Sequence, residues 1–300
     1  MPGAGEAARL ASTAREARRA ADEAARRGGV RVAATTQPGD LAAVRDVVDA
    51  IWRPAADDPP ITAGVLRALV HAGNYSALAW DGADPVGACI GFLGLEPPES
   101  LHSHIAGVRG SATGRGVGYA LKMDQRAWAL EHGLETIAWT FDPLVRRNAF
   151  FNTARLGARP IAYHVDFYGQ MHDAINAGQS SDRLEVHWPL ADPDVIARAA
   201  GTVADHTSSE LLGAGAEVVL DVSGDAPARP PSSGQAAVRL VRVPADIEGM
   251  RGRSGELAAR WREEVRDVLG GLMSDGWRVR TVLREGYYVL ERPSESGASR

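Results

Sequence analysis

A chain of 300 residues is long enough for one large α/β unit and a smaller appendage. Its net charge of −5 argues against broad nucleic-acid binding, which needs a dense basic surface, but a small anion needs only local N–H donors and arginines. The single cysteine, Cys89, excludes an intrachain disulfide and a thiolate-rich metal site, and the histidines show no metal-ligand spacing, so we predict no metal.

The sequence contains no stretch that approaches the ~20 apolar residues needed to span a bilayer. Its N-terminal segment is rich in Ala, Arg and Glu and lacks a hydrophobic signal core. We therefore expect a cytoplasmic protein that binds neither membrane nor nucleic acid.

The first predicted element is a helix over residues 6–27, which consists of strong helix formers and ends at Gly28-Gly29. Leu10 is its only large apolar residue, so we expect thin packing. Residues 1–29 are therefore interpreted as a peripheral arm and as a candidate contact in a homodimer.

Residues 30–190 alternate between helix-like and strand-like patterns and form the predicted core. Helices are predicted over 40–51, 62–72, 118–131 and 147–156. Strands are predicted over 31–35, 76–80, 86–93, 101–108, 135–141, 160–168 and 184–190.

The remainder of the chain is predicted to form a small α+β region. Residues 191–235 connect it to the core, and Ser223–Gln235 is rich in Pro, Gly and Ser, which is typical of a linker. Within 236–300, strands are predicted over 237–243, 277–283 and 287–290. A helix between them carries a regular apolar stripe from Leu257 to Leu269.

A glycine-rich segment between the strand 101–108 and the helix 118–131 carries the strongest functional signal. Gly114, Gly116 and Gly118 lack the Cβ atoms that would keep a phosphate from the unpaired amides of a helix N-terminus. Arg109 and Arg115 add charges for further phosphates. A Walker loop would continue with Gly-Lys-Ser/Thr, and a dinucleotide loop would have the spacing G-x-G-x-x-G; neither occurs here.

The segment Thr113–Gly118 resembles the acyl-CoA loop of the GNAT acyltransferase superfamily, commonly Q/R-x-x-G-x-G/A, with Thr113 in place of Gln or Arg. Residues 139–158 resemble the second half of the GNAT core. The runs W-T-F-D-P-L, R-N-A-x-F-N and S-D-R-L-x-V-x-W are similar to one bacterial group within that superfamily.

This resemblance implies an α/β (α+β) fold with a mixed, mostly antiparallel central sheet flanked by helices, and with the small C-terminal α+β extension. It implies acyl-CoA, either acetyl-CoA or succinyl-CoA, as cosubstrate, and direct attack on the thioester by the amine of a small molecule, an amino acid being one candidate. The residues implied to bind the cosubstrate are Ile105, Ala106, Gly107, Val108, Thr113, Gly114, Arg115, Gly116, Val117, Gly118, Tyr119 and Asn148.

The general base and acid are less constrained by the sequence. His102 and His104 share one face of their strand by two-residue alternation, and His104 is a candidate base because histidine changes charge near neutral pH; alternatively, it is a structural histidine. Asp142 is a candidate base or amine-binding carboxylate, or part of a turn. Thr153 occupies the position where GNAT proteins commonly have a tyrosine that protonates the leaving thiolate, so Asn148, Asn152, Tyr163 and solvent are the alternatives for that role.

Two other functions remain compatible with the sequence. One is a non-catalytic acyl-CoA-binding protein of the same fold, which the departures at Thr113 and Thr153 favour. The other is a decarboxylase that acts on a malonyl-type thioester, in which His or Thr near the thioester would replace the amine site.

Overall fold

A computed structural model describes residues 4–54, 59–95, 97, 100–169 and 180–293. The chain forms two compact units. The first comprises Met1–Trp139 with Pro189–Ile196, and the second comprises Thr140–Trp188 with Ala197–Arg300. This division falls inside the predicted core of residues 30–190.

The first unit contains a sheet in which neighbouring strands follow the chain order. Its strands are β1 Arg31–Ala34, β2 Ser76–Asp81, β3 Asp84–Gly94, β4 Ser100–Val108 and β5 Thr136–Phe141. The pairs from β1 to β4 are antiparallel, whereas β4 and β5 run parallel. The mixed, mostly antiparallel sheet with flanking helices confirms the predicted fold class.

Four helices accompany this sheet: α1 Ala4–Gly28, α2 Pro38–Trp52, α3 Ala63–His71 and α4 Val117–Glu131. α2 and α3 bury their apolar faces against β2, β3 and β4. The buried side chains of this core are Leu41, Val44, Val47, Val48, Ile61, Leu66, Leu78, Ala88, Ile90 and Ile105. Together they fix the sheet beneath the strand that leads into the glycine-rich segment.

The N-terminal helix α1 packs on α4 and is not thinly attached. Its buried side chains are a stripe of alanines: Ala14, Ala17, Ala21 and Ala24. Small side chains let two helix backbones approach closely, so large apolar residues are not needed for this contact. Arg18 adds a bidentate ion pair with Glu131, with both N–O distances at 2.9 Å, and a further ion pair with Asp124.

The second unit contains the antiparallel pair β6 Arg159–His164 and β7 Arg183–Pro189, and a separate five-stranded sheet. The five-stranded sheet has the order β11 Arg278–Val282, β12 Tyr287–Glu291, β10 Val238–Arg242, β8 Glu217–Ser223 and β9 Ala226–Ala228. Its helices are α5 Arg146–Phe150, α6 Pro193–Ala199, which begins in the first unit, α7 Ser208–Gly213, α8 Ile247–Arg253, α9 Gly255–Val265 and α10 Gly271–Ser274. π-helical turns extend α5 over Phe151–Arg155 and α9 over Arg266–Gly270.

The predicted linker begins with ordered structure. β8 and β9 form a hairpin in which Ser223 pairs with Ala226, so Gly224 and Asp225 make a two-residue turn. Gly224 has a φ of 59°, which glycine adopts without a steric penalty. This hairpin therefore occupies the start of the predicted linker, residues 223–235. None of the helices within the described ranges is both long and apolar enough to cross a membrane.

The alanine stripe of α1 gives a testable prediction. Ala17 is completely buried, so Ala17→Leu is expected to lower the free energy of unfolding by about 1–3 kcal/mol through overpacking. The matched control Ala11→Leu, on the exposed face of the same helix, is expected to change it by less than about 0.5 kcal/mol. Urea denaturation of both variants checks this; equal effects would contradict the docked helix.

Candidate functional site

The glycine-rich segment forms an open turn that leads directly into α4. A 3₁₀ turn over Gly110–Ala112 is followed by Gly114 and Gly116, whose φ angles of 82° and 86° lie in the left-handed region. Gly116 is the N-cap of α4, and among the described residues no side chain caps this helix end. A Cβ at Gly114 or Gly116 would meet no atom within 4 Å, so the space around the turn is open. Uncapped amides of this kind can bind an anion.

The side chain of Arg115, which is predicted to bind phosphate, contacts other groups of the protein. Its guanidinium lies 2.6 Å from a carboxylate oxygen of Asp81 and contacts the carbonyl oxygen of Gly28. Arg115 therefore links the turn to β2 and to the end of α1. Arg109 differs, because its buried Nε has no hydrogen-bond partner in the described part of the chain.

The strand β4 contains a bulge at His104. The pairing of β3 with β4 shifts from Ile90 opposite Ile105 to Gly91 opposite Ser103, which leaves His104 as the extra residue. A bulge leaves the backbone groups of its extra residue outside the ladder and re-aims the strand. The His104 side chain is exposed, its Nε2 lies 3.4 Å from the carbonyl oxygen of Pro60, and its ring is 5.8 Å from that of Phe92.

Among the described residues, the segment of β4 beyond His104 pairs with β3 along one edge and with no strand along the other. Residues 105–108 pair with residues 87–90 of β3, whereas β4 pairs with β5 only over residues 100–102. Gly107 is required by packing, since a Cβ there would overlap the Trp52 ring of α2. The residues predicted to bind the cosubstrate, Ile105, Ala106, Gly107 and Val108, thus lie on a strand segment whose second edge has no strand partner within the described ranges.

A buried polar cluster lies where the pairing of β4 with β5 ends. The Nζ of Lys122, on α4, donates to Ser103 Oγ at 3.0 Å and to Gln125 Oε1 at 2.7 Å, and lies 3.9 Å from the Trp139 ring centroid. Burial lowers the pKa of Lys122 to about 8. The sequence analysis missed this cluster. The sequence indicates this cluster only through the two polar residues Lys122 and Gln125, which are three positions apart and therefore lie on the same side of α4 as each other, next to the apolar Leu121.

Asp142, in the second unit, is surrounded by arginines. Its carboxylate accepts two hydrogen bonds of 2.7 Å from Arg262, one from Arg251 and one of 2.9 Å from the amide of Leu144. Burial alone would raise the pKa of Asp142, but the hydrogen bonds and charge of Arg262 and the charge of Arg251 lower it to about 2. Such a carboxylate is a weak proton acceptor at neutral pH. The geometry therefore argues against the expected base role, and its oxygens are already used by the protein.

The other candidate residues of the second unit occupy different settings. Asn148 is exposed on α5, and Asn152 is buried in the π-helical turn. The Thr153 hydroxyl donates to the Ala149 carbonyl and accepts from the amide of Val282, both at 2.9 Å, so it has a structural use. Within the described ranges, no group of three or more His, Cys, Asp or Glu side chains could hold a metal ion.

No family model matches the sequence, and no curated protein matches it. Solved structures do resemble it in part. A protein from Desulfovibrio desulfuricans assigned to the GNAT family of acetyltransferases is 17% identical with a TM-score of 0.42, over 54% of this chain and 99% of that one. A Bacillus subtilis acetyltransferase in complex with CoA is 18% identical with a TM-score of 0.42, over 53% and 98%. The ribosomal-protein-S18-alanine N-acetyltransferase from Escherichia coli is 12% identical with a TM-score of 0.43, over 54% and 94%.

The arginine-bound carboxylate gives a pH prediction. The folded pKa of Asp142, about 2, lies below its unfolded value of ~3.9, so its stabilisation is present above about pH 4 and lost as the pH falls towards 2. Asp142→Asn is expected to lower the free energy of unfolding by about 3–5 kcal/mol near pH 7. The gap between wild type and variant should shrink by about 2 kcal/mol between about pH 4 and 2.

Chemical denaturation as a function of pH measures this gap. Asp275→Asn, which removes an exposed carboxylate of the same unit, is the control for loss of one negative charge. A gap between wild type and Asp142→Asn that stays constant down to pH 2 would show that the carboxylate is not held by the arginines.

Proposed function

We propose that this protein transfers an acyl group from acyl-CoA to the amine of a small molecule. The observation that carries the proposal is the left-handed turn at Gly114 and Gly116, which opens an uncapped helix directly after a bulged strand. A diphosphate needs several N–H donors that converge on open space, and the uncapped start of α4 is the proposed source of these donors. A strand with one edge outside the ladder offers further backbone groups to an extended, amide-containing arm.

The parts of CoA fit different residues of the first unit. The amides of residues 114–118 would bind the diphosphate, and Arg109 is the nearby guanidinium whose Nε has no partner in the described ranges. The edge of residues 105–108 would bind the pantetheine amides. Because these groups recognise the CoA portion that different donors share, the proposal covers acetyl-CoA and succinyl-CoA.

The proposed chemistry is direct attack of a neutral amine on the thioester carbonyl. A backbone amide at the bulge would polarise that carbonyl, since a preorganised N–H stabilises the developing oxyanion. An amine is protonated at neutral pH, so a base must remove its proton. His104 is the proposed base because it lies at the bulge and its side chain is exposed, whereas Asp142 is bound by two arginines.

A non-catalytic acyl-CoA-binding protein is the second candidate. It is favoured by Thr153, which stands where an acidic tyrosine is common in GNAT proteins and whose hydroxyl is hydrogen-bonded to backbone groups on both sides. CoA binding without release of thiol across a broad panel of amines would support this second candidate over acyl transfer.

The proposed diphosphate site predicts a specific effect of Gly116→Ala. An alanine at a φ of 86° is strained by about 1–2 kcal/mol, so the turn should shift and the affinity for CoA should fall about 5- to 30-fold. Gly110→Ala is the matched control, because its Cβ would meet no atom within 4 Å and its φ is not positive. Isothermal titration calorimetry with CoA measures both variants, and circular dichroism verifies their folding.

Two results would argue against the site. Equal CoA affinity in wild type and Gly116→Ala would place the diphosphate elsewhere. Failure of acetyl-CoA, succinyl-CoA and CoA to bind the wild type would refute the proposed function itself.

The proposed base predicts a loss of turnover in His104→Gln. Removal of a general base typically costs ~10²–10⁴-fold in rate, and the loss should appear in kcat while the affinity for acyl-CoA is retained. His132→Gln, at the end of α4, is the control substitution. Thiol release measured against pH with an accepted amine tests this. An unchanged kcat in His104→Gln would show that another group or solvent takes the proton.

A further inference from the structure

His102 and His104 lie side by side at the surface of the first unit. Residues two apart on a strand point to the same face, and the centroids of these two imidazole rings are 6.4 Å apart, with their planes inclined by 39°. The side chain of His102 is partly exposed and that of His104 is exposed. This pair is the exception to the expected lack of metal-ligand spacing among the histidines.

The aromatic ring of Phe92, on β3, contacts both imidazoles. Phe92 is the partner of His102 in the ladder, and its ring stacks on that of His102 with the centroids 4.9 Å apart. The Phe92 and His104 ring centroids are 5.8 Å apart. Packing against a neighbouring ring limits the orientations that an imidazole adopts, so the fold orients His102 in advance. The exposed His104 ring can still rotate towards an ion.

The distance between the two rings is close to that of two imidazoles that share one metal ion. A ring nitrogen binds Zn²⁺ at ~2.0–2.1 Å, so the centroids of two such rings lie about 5–6 Å apart. The observed 6.4 Å therefore needs only a small rotation of the His104 side chain. The contact of His104 Nε2 with the carbonyl oxygen of Pro60 is 3.4 Å long, so it is weak and an ion can displace it.

The chemistry of the two ligands selects the class of ion. Neutral imidazole nitrogens suit Cu²⁺, Ni²⁺ and Zn²⁺, whereas Mg²⁺ and Ca²⁺ prefer carboxylate and carbonyl oxygens. Since no group of three or more His, Cys, Asp or Glu side chains in the described part of the chain could hold a metal, water would fill the remaining coordination positions. Cu²⁺ generally binds such a site more tightly than Ni²⁺ or Zn²⁺ does.

We propose that His102 and His104 form a two-ligand site for a divalent transition metal ion, and that an ion bound there inhibits acyl transfer. The inhibition rests on the proposed function, because His104 is the proposed base. An imidazole with one nitrogen bound to a metal keeps its proton on the other nitrogen, so it cannot accept a proton from the attacking amine. The proposed CoA-binding turn at residues 114–118 contains neither ligand, so CoA affinity should not change.

Metal binding is tested first, without CoA or an acceptor. Isothermal titration calorimetry with Cu²⁺ compares wild type with His102→Gln and His104→Gln. The control is His187→Gln, which removes one of two histidines that contact Glu185 in the second unit, the other being His164. Two ligands on one strand act as a chelate, so loss of His102 or His104 should weaken the tightest Cu²⁺ site about 100-fold, whereas His187→Gln should bind as wild type does.

Electron paramagnetic resonance at one equivalent of Cu²⁺ identifies the ligands. Wild type and His187→Gln should show coupling to two imidazole nitrogens. His102→Gln and His104→Gln should lose this two-nitrogen signal, because each of them retains only one ligand of the pair.

Inhibition is tested with Zn²⁺, which is not redox-active, and with an amine that the wild type accepts. The acylated amine is measured by mass spectrometry, because the free CoA thiol itself binds metals. Zn²⁺ should lower kcat of wild type, and a chelator should restore it. His102→Gln should keep the metal-free kcat, since His102 is not the proposed base, but the Zn²⁺ concentration for half-inhibition should rise about 100-fold.

The possible failures are distinguishable. Equal Cu²⁺ affinity in wild type and both strand variants, or loss of the tightest site in His187→Gln, would overturn the metal site. Unchanged kcat with Zn²⁺ bound to the pair would overturn the inhibition. If Cu²⁺ binds the pair but no amine is acylated in the absence of metal, the proposed function fails and the metal site stands.

Discussion

The proposed acyl-CoA site depends on one backbone constraint, the two glycines with left-handed φ angles that lie between β4 and α4. Because Gly114 and Gly116 turn the chain at φ angles of 82° and 86°, α4 begins without a capping side chain among the described residues. An uncapped helix end normally costs free energy, since its first amides lose hydrogen bonds unless water, a side chain or a ligand accepts them. The uncapped amides of α4 lie at an open turn. An anion-binding site requires amides that are unpaired and accessible in this way.

The surrounding elements of the first unit hold that turn in place. Arg115 links it to Asp81 and to the end of α1, and α1 is in turn fixed on α4 by its alanine stripe and by Arg18. The N-terminal helix therefore stabilises the turn that forms the proposed diphosphate site. The contact of α1 with α4 depends on small side chains and ion pairs. The apolar content of the α1 sequence therefore does not reveal how much this helix contributes to the stability of the protein.

Asp142 and Lys122 are both buried, but their partners shift their pKa values for different reasons. Asp142 receives hydrogen bonds from two arginines, so its pKa falls to about 2 and its charge is permanent near neutral pH. Lys122 is bound to the neutral groups of Ser103 and Gln125, so burial dominates and its pKa falls to about 8. The charge of Asp142 is thus held by its arginine partners, whereas the pKa of Lys122 reflects the loss of hydration.

The sequence predicted the order of the elements, the fold class and the glycine turn well, because hydrophobic period, turn residues and helix ends are local properties. It could not predict the arginine partners of Asp142, since Arg251 and Arg262 are more than a hundred residues away along the chain. The bulge at His104 and the contact of Lys122 with Ser103 depend on strand register and helix rotation, which no local pattern encodes. The hairpin at residues 223–226 was missed because its strands are short and lie in a Pro- and Gly-rich stretch.

The most direct test of the central claim is an NMR titration of the ¹⁵N-labelled protein with CoA, followed at the backbone amides. If the turn binds the diphosphate, the largest shifts are expected at the amides of residues 114–118, with smaller shifts along residues 105–108. Shifts confined to other parts of the chain, or no shift at saturating CoA, would contradict it.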